Sequence, residues 1–305
     1  MENIMKYSIK EPILLDPICK DIIWGGERLS REFGKGDFCG QRIAETWELT
    51  VRENEVNTVK SGEMCGKDLS ELEGTENFPV LIKFIDAKSD LSVQVHPGDE
   101  YSKKHEGDLG KTEMWYVVDA EAGAKLVYGL ADGVSKADFA KAVEENKIGG
   151  CLSYVDVHRG DVFFIPAGCV HAIGGGILIA EIQQSSNVTY RVYDYNRGRE
   201  LHIKKALDVI ELYSKEDIDK IRYSRADEIS DTLLADCDIF RVEKKDSSCG
   251  EIIGNADKFR HILVLSGKGK VGDLDVLAGS SVLLPLGCEV AKLSGEFEFL
   301  LTVVK

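Results

Sequence analysis

GDVFFIPAGCVHAIG (160–174) reads as a short apolar strand, a proline-glycine turn and a histidine delivered just beyond it. Its frame, Gly160-x5-Pro166-x-Gly168-x2-His171, recurs as Gly279-x5-Pro285-x-Gly287-x2-Val290. Ahead of each copy lies an apolar strand and a turn, YVVDAEAGA (116–124) and LVLSGKGKV (263–271). Aligning those strands sets Glu113 opposite Arg260 and His171 opposite Val290. The second copy therefore keeps the strand-and-turn framework and lacks the ligand-type side chains.

Working outward, strand-length runs of Val, Ile, Leu, Phe and Tyr with turn punctuation dominate: PVLIKFIDA (79–87), LSVQVHP (91–97), EMWYVVDA (113–120), KLVYGL (125–130), GILIAEIQ (176–183), FRHILVLSG (259–267), SSVLLPLG (280–287) and FEFLLTVVK (297–305). Such a pattern predicts a mainly β chain of antiparallel sandwiches or barrels with a few short helices, and the repeat reads as two related β-barrels. One helix is expected over 135–148, where Ser135 and Asp138 form a capping-box start and Gly149-Gly150 a stop. Another is expected over 200–213, with Ile203, Leu207 and Ile210 on one face. Residues 96–112 have weak helical character, and the charged segment 214–232 reads as a connector. The expected domains are 1–232, holding the ligand residues and the helical insertions, and 233–305, a ligand-poor β domain.

A chain of 305 residues is long enough for two domains with full cores. A formal net charge of −15 disfavours nucleic acid and anionic membranes as partners. No apolar run approaches the ~18 residues of a membrane span, and MENIMKYSIK has no export-signal pattern. The eight cysteines form no C-x-x-C pair and read as reduced thiols of a cytoplasmic protein. Neither a P-loop nor a dinucleotide glycine fingerprint is present.

Side chains at i and i+2 of a strand share a face, so Gln94 and His96 project together, away from Val93 and Val95. Glu113 opens the next strand, on the face of Trp115 and Val117, and His171 follows the Pro166 turn. Two imidazoles and a carboxylate from separate strands suit a divalent metal such as Zn2+, and the Gln94 carboxamide offers a fourth donor. Taken singly, each has a plainer reading: a satisfied strand histidine or a surface carboxylate. Cys169 shares the parity of His171, as a soft ligand or a small buried thiol.

The strings VQVHP, KTEMWYV, GDVFFIPAGCVHAIG and EIQQSSNVTYRVYD, with the earlier WGGERL (24–29) and AETWEL (44–49), resemble type I mannose-6-phosphate isomerases of the short bacterial form. The resemblance runs from Trp24 to His202 and, more loosely, through the last β segment. It implies that the two β-barrels are cupin-like jelly rolls, and that the chain is an aldose–ketose isomerase interconverting mannose 6-phosphate and fructose 6-phosphate through an enediolate, with one zinc ion per chain. It puts metal ligands at Gln94, His96, Glu113 and His171, a catalytic arginine at Arg191 and a substrate-side cation at Lys111. The expected partner is thus a small sugar phosphate. Many members carry a histidine after the WEL segment, where this chain reads TVRENEVNTVKSG (50–62). The base is either a metal-bound hydroxide or a carboxylate such as Glu181. Arg191, Arg197 and Lys111 are candidate phosphate donors, although Arg197 and Arg199 also fit a solvated turn. A sugar-phosphate sensor and an iron-dependent cupin dioxygenase are the competing classes.

Overall fold

The Val-Gln-Val alternation folds as its parity requires. Val93 and Val95 are fully buried in an apolar cluster with Val127, Ala172, Tyr190 and Val192, while Gln94 and His96 face the other way. They belong to a five-stranded antiparallel sheet, ordered Leu152–Asp156, Lys125–Leu130, His171–Ile173, Val93–Val95, Tyr190–Tyr193. Helices Lys136–Glu144 and Ile203–Val209 cover its apolar face, contributing Phe139, Ala206 and Val209 to the cluster. The polar face looks onto the strands Val162–Ile165, Glu113–Ala120 and Ile177–Gln184, three neighbours of a six-stranded sheet. The structure is a computed structural model that describes residues 6–254 and 257–305.

The first helix begins as expected. Ser135 Oγ accepts from the Asp138 amide, and the Asp138 carboxylate accepts from the Ser135 amide. The second is shorter than the 200–213 expected, because tertiary hydrogen bonds take both ends. His202 N donates to Arg191 O at 2.8 Å, and Glu211 N donates to Gly168 O at 2.9 Å. Ile210 is accordingly extended, with ψ 132°. The weakly helical stretch contains the helix Asp99–His105, and the charged connector contains Lys215–Arg222, started by a reciprocal Ser214–Asp217 pair.

Two compact units emerge: Ile23–Gly26 with Ile85–Arg222, and the remainder up to Ile22 with Glu27–Phe84 and Tyr223–Lys305. The second differs from a division at residue 232, because Ile13–Asp16 pairs antiparallel with Ser281–Leu284, Ile13 opposite Leu283. Its main sheet has nine strands, including Arg260–Val271 and the long Val290–Val304.

Strand register upholds the internal repeat. Glu113 pairs with Ile165, the residue before Pro166, and Arg260 pairs with Leu284, the residue before Pro285. Gly168 and Gly287 both take the left-handed region, at φ 90° and 80°, where L side chains are strained. None of the sheets closes on itself among the described residues, so the repeat is realised as open, cupin-like antiparallel sheets and not as two closed barrels. Among the described residues, no helix is long and apolar enough to cross a membrane.

Candidate metal centre and active site

Cross-strand pairing sets His171, Gln94 and Arg191 in one row, with His171 and Arg191 each opposite Gln94 on its two sides. Direct cross-strand neighbours share a face. His96, two residues along, joins them, and Glu113 meets them from the facing strands. One ligand atom each from His96, Glu113 and His171 lies within 4.8 Å of the others, the only such group of His, Cys, Asp and Glu found among the described residues. His171 Nε2 is 3.4 Å from Glu113 Oε1, His96 Nε2 is 3.6 Å from Glu113 Oε2, and Gln94 Nε2 is 3.3 Å from His171 Nε2. Donors around a tetrahedral ion with ~2.0–2.1 Å bonds lie roughly 3.3–3.5 Å apart, so the spacing fits zinc closely.

Protonation fits as well. The Nδ1–H of His171 donates to Cys169 O and that of His96 to Val188 O, each at 2.9 Å. These bonds select the tautomer whose Nε2 lone pair faces Glu113. Burial drives His171 down to about 4, so its imidazole is neutral near pH 7, as a ligand must be. Glu113 is 0% exposed, and neither oxygen accepts a well-aligned hydrogen bond. A carboxylate so buried calls for a cation. Lys111 supplies one at the edge, its Nζ 2.9 Å from Glu113 Oε2 and 3.2 Å from His96 Nε2. Exchanging the ends of the Gln94 amide turns Oε1 toward the same point, which suits a fourth donor.

Cys169 takes no part through its sulfur. Burial, then the Glu113 charge, pushes the thiol up to about 12, and it donates to Val170 O. Its carbonyl orients His171 instead. Arg191 is half-buried; Nε donates to Ser92 Oγ at 3.2 Å and Nη1 to Glu200 O at 2.9 Å. Burial, then Arg199, lowers its pKa. Arg197 and Arg199 are half-buried at the turn and share one carboxylate. Both grip buried Asp194, at 2.8 and 2.5 Å, and Arg197 also donates to Asp90 O. Burial raises the Asp194 pKa, but Arg199 and Arg197 outweigh it and hold the carboxyl below its ordinary value.

Trp115 and Glu181, expected from the sequence as a face neighbour of Glu113 and a candidate base, are joined to each other, whereas Ser92 and the carbonyls of Val188 and Cys169 escaped the sequence reading. Trp115 stands edge-on to His171, ring centroids 5.4 Å apart, and its Nε1 donates to Glu181 Oε2 at 2.9 Å. The i, i+2 parity of Ser92 with Gln94 was a usable signal for Ser92. The carbonyls of Val188 and Cys169 carry none, since every residue has one. In the second copy, Val290 is exposed and Arg260 buried, and neither joins a metal-type cluster.

The family model described as phosphomannose isomerase type I, catalytic domain, matches residues 13–124. Mannose-6-phosphate isomerase ManA of Bacillus subtilis (strain 168) is 37% identical over 310 residues, covering 94% of this chain and 97% of that protein. The crystal structure of the mannose 6-phosphate isomerase from Bacillus subtilis superposes with a TM-score of 0.81 at 30% identity, covering 96% of this chain and 99% of that one. A mannose 6-phosphate isomerase structure bound with zinc and yttrium shares the fold, with a TM-score of 0.73 at 14% identity over 97% of this chain and all of that one. Near-complete coverage in both directions, at an identity well above what a shared fold alone requires, makes this chain an isomerase that belongs to the type I phosphomannose isomerase family.

Proposed function

We propose that the chain interconverts mannose 6-phosphate and fructose 6-phosphate by moving a proton between C1 and C2 through an enediolate. The observation that carries this reading is the buried Glu113 carboxylate, edged by the Lys111 ammonium and met by two histidine lone pairs, with Arg191 paired across the sheet to Gln94. Gln94, His96, Glu113 and His171 are assigned as ligands of one divalent ion, zinc by donor type. When bound, such an ion supplies Lewis-acid stabilisation of negative charge on the sugar oxygens.

The chain's own residues do the rest. Arg191 presents a planar, permanently charged donor fork, suited to the charge that develops on O1 and O2 and unsuited to removing a proton. Ser92 Oγ and Glu200 O hold that fork from two sides, which limits reorganisation as charge appears. Lys111, fixed against Glu113, is assigned to the sugar side of the ligand set. Trp115 walls the ligands with an apolar ring, which lowers the local dielectric and strengthens both cations. The chemistry is assigned to the part of the chain before residue 233, working in the cytoplasm, where its eight free cysteines remain thiols.

The test is incubation of zinc-loaded protein with mannose 6-phosphate in deuterated water, followed by NMR. Fructose 6-phosphate carrying deuterium at C1 is the expected product. Binding without conversion under any divalent metal would move the assignment to a sugar-phosphate sensor, and oxygen consumption with iron to an oxygenase.

A further inference from the structure

Between the ligands His96 and Glu113 the chain leaves its sheets. The strand Val93–Val95 ends just before His96, and Glu113–Ala120 opens on the second ligand, so Lys111 and Thr112 lie outside both strands. Glu113 is opposite Gln183 in the register of the neighbouring strand. One residue on, the Gln184 backbone amide donates to Thr112 O at 3.0 Å. The Thr112 amide donates instead to a side chain, Gln184 Oε1, at 2.8 Å. The other end of that carboxamide, Nε2, donates to Asp99 Oδ1 at 3.0 Å, and the same oxygen accepts from Gly110 N at 2.8 Å. The residues on either side of Lys111 are therefore held by one connected pair of side chains. The Lys111 amide itself donates to Pro97 O at 3.0 Å.

This clamp has little slack. A Cβ on Gly110 would come 2.5 Å from Asp99 N and 2.6 Å from Gly98 C, so the two backbones lie in direct contact. Gln184 is 7% exposed, which shields its bonds from water, while the second Asp99 oxygen faces outward and pairs with Lys103 at 3.0 Å. Only a carboxamide serves at 184: it accepts from Thr112 N at one end and donates to a carboxylate at the other. A lysine head rides on a flexible four-carbon stem, so its position depends on where the stem begins. Here Nζ lies 2.9 Å from Glu113 Oε2 and 3.2 Å from His96 Nε2.

We propose that Gln184 and Asp99 are positioning residues for Lys111. Through Thr112 N and Gly110 N they fix the backbone from which the ammonium is aimed at the sugar side of the ligand set. The inference rests on Lys111 being the sugar-side cation. Neither residue acts on the sugar; both act through the lysine.

A double-mutant cycle on the metal-loaded full chain, read with mannose 6-phosphate, tests this. Asp99→Ala and Gln184→Leu should each lower kcat/KM by about 10–10²-fold with metal content unchanged, the scale of a ~1 Å misplacement. In a Lys111→Met background each should cost less than about twofold more, because the side chain they aim is gone. Asp99→Asn keeps Oδ1 as an acceptor and should recover most of the rate that Asp99→Ala loses. Equal losses in both backgrounds would make the two residues general supports of the fold and overturn the proposal. A Lys111→Met variant with wild-type kcat/KM would instead remove Lys111 from the sugar side, and the inference with it. A second readout needs no turnover. Labelling with acetic anhydride, followed by peptide mass spectrometry, should modify Lys111 about tenfold faster in Asp99→Ala than in wild type, the loss of one charge-assisted hydrogen bond. The buried Lys35 serves as the control for unfolding and should label equally in both. Equal protection of Lys111 in the two proteins would refute the clamp. Asp99 is exposed, so Asp99→Ala carries both measurements should Gln184→Leu fail to fold, and labelling decides should Lys111→Met turn over too slowly for the cycle.

Discussion

At the scale of single residues, the separation of Arg191 from the ligand set has a measurable consequence. Its guanidinium donates to Ser92 Oγ and Glu200 O, and among the described residues to none of the four assigned ligands. Arg191→Ala is expected to retain its metal and lose turnover by about 10²–10³-fold, the scale of removing one preorganised donor. Arg191→Lys should recover little, because an ammonium lacks the planar fork. Metal content and kcat measured on the same preparation check both. A variant that loses the metal and regains its full rate when metal is added back would show Arg191 serving the ligands instead. His261 makes a second residue-scale prediction. Buried, and then opposed by Lys35, it is pulled down to about 3 from 6.5, its ring bonded to Ser281 Oγ at 2.7 Å. The unfolded chain takes up this proton below pH 6.5 and the folded chain does not. Stability is therefore full above pH 6.5 and falls as pH drops toward 3. Between pH 7 and pH 5 the term amounts to about 2 kcal/mol. His261→Asn should remove that much from the pH dependence in urea titrations; identical slopes in the two proteins would contradict it.

At the scale of elements, the Pro166–Gly168 turn does more than reverse the chain. Gly168 N donates to His96 O at 2.8 Å, and Gly168 O accepts from Glu211 N at 2.9 Å. One residue thereby ties the strand of one ligand, the approach to another and the end of a helix. Its φ is 90°, and a Cβ would come 2.9 Å from Val209 O. Gly287 has a similar φ of 80°, but a Cβ there would meet only the flexible Lys10 side chain, at 3.1 Å. Gly168→Ala should cost more than Gly287→Ala, each at least ~1 kcal/mol for the backbone conformation alone. Only Gly168→Ala should weaken metal retention. Thermal unfolding and competition with a chelator separate the two effects, and equal metal affinity in both variants would show that the turn does not align His171.

At the scale of the whole molecule, the metal-type side-chain cluster lies in the first copy of the repeated framework. The cluster of His96, Glu113 and His171 has no counterpart among the described residues. Elemental analysis should therefore find one divalent ion per chain. Chelation should abolish isomerase activity, and added zinc should restore it. Two tightly held ions, or full activity in metal-free protein, would overturn the ligand assignment. Chelation should also lower the thermal midpoint, because an ion bound only by the folded state stabilises it by mass action.

What was legible in the chain is local and periodic. The two-residue parity of a strand set Gln94 and His96 against Val93 and Val95, and the capping chemistry of Ser135 and Asp138 placed a helix start. The repeated glycine-proline frame aligned Glu113 with Arg260, and strand register agrees. These features depend on neighbours a few residues away, so sequence spacing carries them. The rest depends on partners distant in sequence. Gly168 and Arg191 end a helix that apolar periodicity extends further, by offering its termini hydrogen bonds. Asp194 pairs with both Arg197 and Arg199, a contact that their spacing did not announce. Ile13–Asp16 joins a sheet formed more than 250 residues later because Ser281–Leu284 leaves an edge to be paired. Whether Arg260 was a surface arginine or a buried, unpaired cation could not be read from spacing, since burial is a property of the packed molecule and of no single strand.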